Sequence, residues 1–93
     1  MNMQYMMERV IKMNESANTY IQYTVRYDIA GRTLDSVYGE YKSWATHNSR
    51  EIAEPEMLAR VIEMTHKLLL MRVHDKEVFV TEEGMTIQWL LLP

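Results

Sequence analysis

The chain has 93 residues, of which 47% are hydrophobic and 25% are charged. This length predicts a single compact domain over residues 1–93, and the composition is that of a globular rather than a disordered protein. The formal net charge of −3 argues against a strongly basic nucleic-acid-binding surface, and the lack of cysteine excludes disulfides and thiolate metal sites.

The first segment, residues 3–13, fits two patterns. Its apolar side chains share one face with a period of two residues, as in a strand, and also with a period of 3.6 residues, as in a helix. We predict a strand, because a short loop at 14–17 would join it to the next strand as a hairpin. The helix is the alternative.

The next segment, residues 18–28, is the clearest predicted strand, because apolar and polar residues alternate and β-forming residues are frequent. Residues 29–31 are predicted to form a three-residue hairpin loop with Gly31 in the left-handed region, which glycine adopts without steric penalty. The second strand of this hairpin is predicted at 33–44.

A long helix is predicted over residues 55–73. Pro55 suits the first helical position, where its missing N–H is no loss, and Glu54 and Glu56 lie at the positive end of the helix dipole. Apolar residues cover about 200° of this helix at ~100° per residue, whereas an ordinary surface helix needs little more than ~100°. The excess must contact either other elements of this small chain or another chain, and together with Leu90 and Leu92 it leads us to expect a homodimer.

The remaining residues predict two more strands, at 76–80 and 85–92, with a turn at 81–84 between them. In the last strand, Leu90 and Leu92 fall on the face opposite the predicted core. The expected fold is α+β, an antiparallel sheet of four to five strands packed with one long helix. The expected order of elements is β-β-β-α-β-β, and a helix is the alternative for the first element.

No pattern indicates catalysis. His66 and His74 are eight residues apart, too far along a helix for a pair of metal ligands. The serines lie in no nucleophile motif, and no glycine-rich loop could hold a phosphate. We therefore expect no enzyme, no metal and no cofactor. No apolar run is long enough to span a bilayer and no signal peptide is evident, so we expect no membrane association and a cytoplasmic location.

Aromatic, basic and aliphatic residues share the outer face of the predicted hairpin. The candidate binding residues on this face are Tyr20, Arg26, Leu34, Tyr38, Lys42 and Trp44. Leu90 and Leu92 are added from the last strand, because contiguous exposed apolar residues usually mark an interaction site.

One interpretation is that a second layer of the fold, such as the amino-terminal segment, covers this face; otherwise two functions compete for these residues. Tyr, Trp and Arg are enriched at the centres of protein interfaces, and aromatic residues on an open sheet also stack on unpaired bases. We favour a small protein-binding domain that regulates or inhibits a larger protein complex, of the type that phages or mobile elements encode. Single-stranded nucleic-acid binding is the alternative. It ranks second because the chain has few basic residues.

Overall fold

A computed structural model of the chain describes residues 3–24 and 29–81. Within these ranges the fold is α+β, with three helices and a two-stranded antiparallel sheet. The elements in chain order are α1 (Met3–Thr19), α2 (Leu34–His47), α3 (Pro55–His66), β1 (Leu68–Val73) and β2 (Lys76–Thr81). The predicted four- to five-stranded sheet with one long helix is therefore wrong.

The first element is the helix that the sequence left as an alternative, so the predicted strand at 3–13 is wrong. A π-helical segment, Tyr20–Thr24, continues α1. This also overturns the predicted strand at 18–28 over its described part, and residues 25–28 lie outside the described residues. Ala17 and Ile21 are buried one turn apart, whereas Tyr23 is 77% exposed. This burial follows the helical period rather than alternation.

The predicted strand at 33–44 is the helix α2. Thr33 caps its N-terminus, because the side-chain oxygen accepts a hydrogen bond from the backbone N–H of Ser36 at 3.2 Å. The buried residues of α2 are Leu34, Val37, Tyr41 and Ala45. Steps of three and four residues bring these side chains to one face of a helix, where they pack into the core.

The predicted helix at 55–73 begins correctly at Pro55 but ends at His66. Lys67 adopts the left-handed conformation, with φ of 54°, and the chain then turns into β1. Leu68 pairs with Thr81 and Val73 with Lys76 in the β1–β2 ladder. The predicted strand at 76–80 is thus confirmed, whereas the apolar run before it pairs with that strand instead of extending α3.

Gly31 has φ of +88°, as the sequence predicted, but the residues that follow it do not form the predicted second strand. The N–H of Gly31 donates to the carbonyl of Phe79 at 2.7 Å, and the N–H of Phe79 donates to the carbonyl of Arg32 at 3.0 Å. These bonds and a bridge between Thr33 and Val78 attach the start of α2 to β2.

The core lies where the three helices meet β2. Its largest fully buried hydrophobic side chains are Tyr41, Phe79, Ile29, Leu58, Ile62 and Val37. Val78 belongs to a second, smaller cluster with Val73 and Val80. Within residues 3–24 and 29–81, no helix is long and apolar enough to cross a membrane. The predicted turn at 81–84 and strand at 85–92 lie outside the described residues, apart from Thr81, which ends β2.

Candidate protein-binding surface

The first ten described residues of α1, residues 3–12, are all exposed. Met3, Met6, Met7 and Val10 recur at steps of three and four residues, so they share one helix face, and we call them the exposed stripe. Each is about half exposed or more; Met7, for example, is 60% exposed. The stripe is a row of large apolar side chains facing water.

The same apolar face enters the core further along α1. Met13 is half-buried against the core, and Ala17, one turn later, is fully buried. The C-terminal part of α1 packs against the core, whereas the turns that carry the exposed stripe extend beyond it. The same apolar helix face is therefore buried at its C-terminal end and exposed at its N-terminal end. The elongated outline of the molecule, 48 × 25 × 21 Å, is in keeping with this.

A groove of about 600 Å³ lies between α1 and α3. It shares Val10 with the exposed stripe, so the two surfaces are continuous. The residues that line this α1–α3 groove are Val10, Ile11, Met13, Asn14, Glu54, Glu56, Met57, Arg60, Val61 and Met64. Met64 on α3 is a large apolar side chain, and it is 81% exposed. Six of the ten lining residues are apolar, so the groove presents apolar walls to solvent.

Methionine dominates this surface. The described methionines on the exposed stripe and in the groove are Met3, Met6, Met7, Met13, Met57 and Met64. The flexible, polarisable thioether adapts to differently shaped partners, and for this reason methionine is frequent at binding surfaces that accept varied sequences. The groove therefore suits an apolar side chain of another protein better than one rigid small molecule.

A buried hydroxyl fixes α1 relative to the chain that leads into α3. The Tyr41 hydroxyl lies 2.9 Å from Oγ of Ser16 on α1, and it accepts the backbone N–H of Ala53 at 2.8 Å. It also donates to the carbonyl of Glu51 at 3.4 Å. Ser16, Tyr41 and Ala53 are fully buried, so the hydrogen bonds among these three residues are made out of reach of solvent.

Four of the predicted binding residues come together, but not on an open sheet. The ring centroid of Tyr20 lies 5.4 Å from that of Tyr41 and 5.3 Å from that of Trp44. The Lys42 ammonium lies 5.3 Å from the centroid of Tyr38. The rings pack together where the π-helical segment meets α2, and Tyr20 is buried in the core. The cluster therefore stabilises the fold, with Lys42 as its exposed member.

The structure does not place the other four predicted binding residues in this cluster. Leu34 is a buried core residue at the start of α2, and it was expected to be exposed. Arg26, Leu90 and Leu92 lie outside the described residues.

Tyr38 is a titratable group with an altered environment. Burial raises the pKa of the Tyr38 phenol above its usual value of 10.0, and the neighbouring Tyr41 and Glu54 raise it further when they are charged. Its hydroxyl donates to the carbonyl of Ala53 at 2.9 Å. This environment keeps Tyr38 a neutral hydrogen-bond donor.

No group of three His, Asp or Glu side chains is arranged to hold a metal ion anywhere in residues 3–24 and 29–81. Sequence reasoning named aromatic residues and missed the methionines of α1 and α3. Two signals were present, the nine methionines and the helical period in residues 3–13. Comparisons with protein-family models, with curated proteins and with solved structures found no match.

Proposed function

We propose that this chain is a non-enzymatic protein-binding domain that regulates or inhibits a larger protein complex by covering one of its surfaces. The observation that carries the proposal is the exposed stripe of α1 and its continuation into the α1–α3 groove. Small proteins rarely leave a contiguous row of large apolar side chains in water unless it is covered by a partner. The role of regulator or inhibitor is inferred from the type of protein, a small domain without a catalytic motif.

Comparative capture from a lysate of the source cells tests this proposal. The variant Met7→Gln/Met64→Gln keeps the length of both side chains and the helix propensity, but makes the surface polar. Met71→Gln is the matched control, because Met71 is 43% exposed on β1, away from the groove. We expect proteins that bind the wild type and the control to be lost from the double variant. Equal capture by all three proteins would overturn the proposal.

Two occupants compete for this surface, a second copy of the chain and a different protein. The homodimer expected from the sequence is the first of these, although its original reason, a broad apolar arc over residues 55–73, disappears because α3 ends at His66. Sedimentation equilibrium at micromolar concentration distinguishes them. A mass of 11.1 kDa would leave the surface to a different protein.

Single-stranded nucleic-acid binding is not carried forward, because no observation favours it. It relied on an open sheet face, whereas Tyr20 is buried and Trp44 packs against it. The proposed setting is the cytoplasm, which is the host cytoplasm if a phage encodes the chain, and cell fractionation of the tagged protein checks it.

A further inference from the structure

We propose that the occupant of the α1–α3 groove is a cationic amphipathic helix of a partner protein. This inference rests on the proposed function and adds the chemistry of the partner. It combines three features of the described residues: the charge around the groove, the shape and length of its walls, and the polarity of this chain's own α1.

Carboxylates dominate the edge of the groove. Glu54 and Glu56 line it, with Arg60 as the basic lining residue. On α1, Glu8 and Glu15 stand three residues before and four residues after Ile11, a residue of the groove wall, so helical spacing places them beside it. The exposed edge therefore attracts a positively charged partner, and it repels the phosphates of a nucleic acid.

The basic residues of α1 offset this charge only in part. The side chain of Arg9 lies 3.7 Å from the carboxylate of Glu51, which partly neutralises it. Lys12 stands four residues after Glu8 and three residues before Glu15, so it lies beside both on the helix surface and partly neutralises them. The groove edge thus remains acidic, because the carboxylates of Glu8, Glu15, Glu54 and Glu56 outnumber the basic groups of Arg60 and Lys12.

The walls fit a helix. The 17 residues of α1 are about 25 Å long at 1.5 Å per residue, so a partner helix of four to five turns could lie along the groove and the exposed stripe. A helix bound in an apolar groove inserts large side chains at steps of three and four residues. The methionines of both walls can adapt to leucine, isoleucine or aromatic side chains at these positions.

A second copy of this chain is a poorer occupant by the same reasoning. Its own exposed helical segment carries Glu8 and Glu15 together with Arg9 and Lys12, so it offers no net positive charge. It would also bring a second acidic groove edge close to the first. Charge complementarity therefore favours a different protein.

Binding of model peptides tests the proposal. Three 16-residue peptides share leucines at i, i+3, i+4 and i+7 and carry Lys, Gln or Glu at the polar positions. Fluorescence anisotropy of the labelled peptides should give the order Lys, then Gln, then Glu in affinity for the wild-type protein, and 300 mM NaCl should weaken the Lys peptide most. Equal affinities, or a preference for the Glu peptide, would overturn the proposal.

Variants locate the binding and separate charge from apolar contact. Glu8→Gln/Glu15→Gln/Glu56→Gln should weaken the Lys peptide on the order of tenfold, as expected for three exposed ion pairs, and change the Gln peptide little. Met7→Gln/Met64→Gln should weaken both peptides, whereas Met71→Gln should weaken neither. Peptide binding that Met7→Gln/Met64→Gln leaves unchanged would place it elsewhere and overturn the proposal.

The two proposals fail in different ways. If cellular partners are lost from Met7→Gln/Met64→Gln but no peptide binds, the surface binds proteins and the cationic helix is wrong. If sedimentation equilibrium gives a dimer that the same variant dissociates, the occupant is a second copy, which also overturns the cationic helix. If peptides bind in the expected order but capture is equal for all variants, the proposed function fails.

Discussion

Removing one hydroxyl, that of Tyr41, should destabilise the fold measurably. The Tyr41 ring is fully buried, and its hydroxyl oxygen forms hydrogen bonds with Oγ of Ser16 at 2.9 Å and with the backbone N–H of Ala53 at 2.8 Å. In Tyr41→Phe the ring still fills its place, but these two buried polar groups lose a partner. Because an unsatisfied buried polar group costs about 1–3 kcal/mol, we expect the free energy of unfolding to fall by roughly 3 kcal/mol.

Urea denaturation followed by far-UV circular dichroism measures this loss. With an m-value of about 1–3 kcal/mol/M, typical of small proteins, the midpoint should fall by about 1–3 M. Tyr38→Phe is the matched control. The Tyr38 hydroxyl also bonds the chain at Ala53, at 2.9 Å from its carbonyl, but Tyr38 is only half-buried and water can replace the bond. The control should therefore lose about 1 kcal/mol or less.

A double-mutant cycle with Ser16→Ala tests the cause. Ser16→Ala removes one of the two groups that Tyr41→Phe leaves unsatisfied, so the double variant should be more stable than the sum of the single losses by about 0.5 kcal/mol or more. Similar small losses in Tyr41→Phe and Tyr38→Phe, with additive single losses, would refute the reasoning, because the buried hydroxyl would then contribute no more than a half-buried one.

Three further predictions concern the backbone and pH. Gly31→Ala should lower stability by about 1 kcal/mol through backbone strain alone, since φ is +88° and an added Cβ meets nothing within 4 Å. Gly39→Ala, on the exposed side of α2, should raise it by about 0.5–1 kcal/mol, and thermal unfolding should shift in opposite directions for the two variants; shifts of the same sign would contradict this. His74→Asn/Asp75→Gly should raise stability by about 1 kcal/mol, because both residues have positive φ, 50° and 65°, in the two-residue turn between β1 and β2; an unchanged melting temperature would contradict this. The raised pKa of Tyr38 means that the folded protein holds the phenolic proton more tightly than the unfolded chain, so its contribution is fully present below pH 10.0 and is lost as pH rises through the raised pKa. Urea midpoints between pH 9 and pH 11 should therefore fall less in Tyr38→Phe than in the wild type, and parallel curves would count against this assignment.

The helix α2 shows why alternation misleads in a short, half-apolar segment. Val37 and Tyr41 fit a period of two residues, and they fit a helical face equally well when Leu34 and Ala45 are added. The helical signal was present in Thr33, a capping residue placed just before that face. What the sequence did not show is that helix packing on β2 would decide between the two patterns.

The end of α3 was missed for a different reason. Residues 68–73 are almost continuously apolar, and such a run fits a helix or a buried strand equally well. The break depends on Lys67 in the left-handed region and on a two-residue turn at His74 and Asp75. Neither contains the glycine that usually marks such positions, although Asp and His adopt positive φ more readily than most residues. The start at Pro55 was predictable, because proline suits the first position of a helix, where its missing N–H removes no hydrogen bond.

The walls of the candidate surface could be inferred from the sequence in part. The nine methionines and the helical period of residues 3–13 are the two signals that an adaptable apolar helix face would give, although the predicted element there was a strand. The pairing of that face with α3 could not be inferred, because it depends on contacts between segments about 50 residues apart. The aromatic residues were recognised as a group, but the same rings that suit an interface also suit a core, and Tyr20 is in the core.

The Tyr41 hydroxyl links the two walls of the groove, and no local pattern reveals this link. Its partners, Ser16 and Ala53, are 25 and 12 residues away along the chain, one on α1 and the other just before α3. A groove between two helices keeps its shape only while the helices keep their separation, so Tyr41→Phe has a second expected consequence. At a temperature where both proteins are folded, Tyr41→Phe should bind the Lys peptide more weakly than Tyr38→Phe does, although neither ring lines the groove. Equal affinities would show that packing alone holds the groove open, and that the buried hydroxyl contributes to stability only.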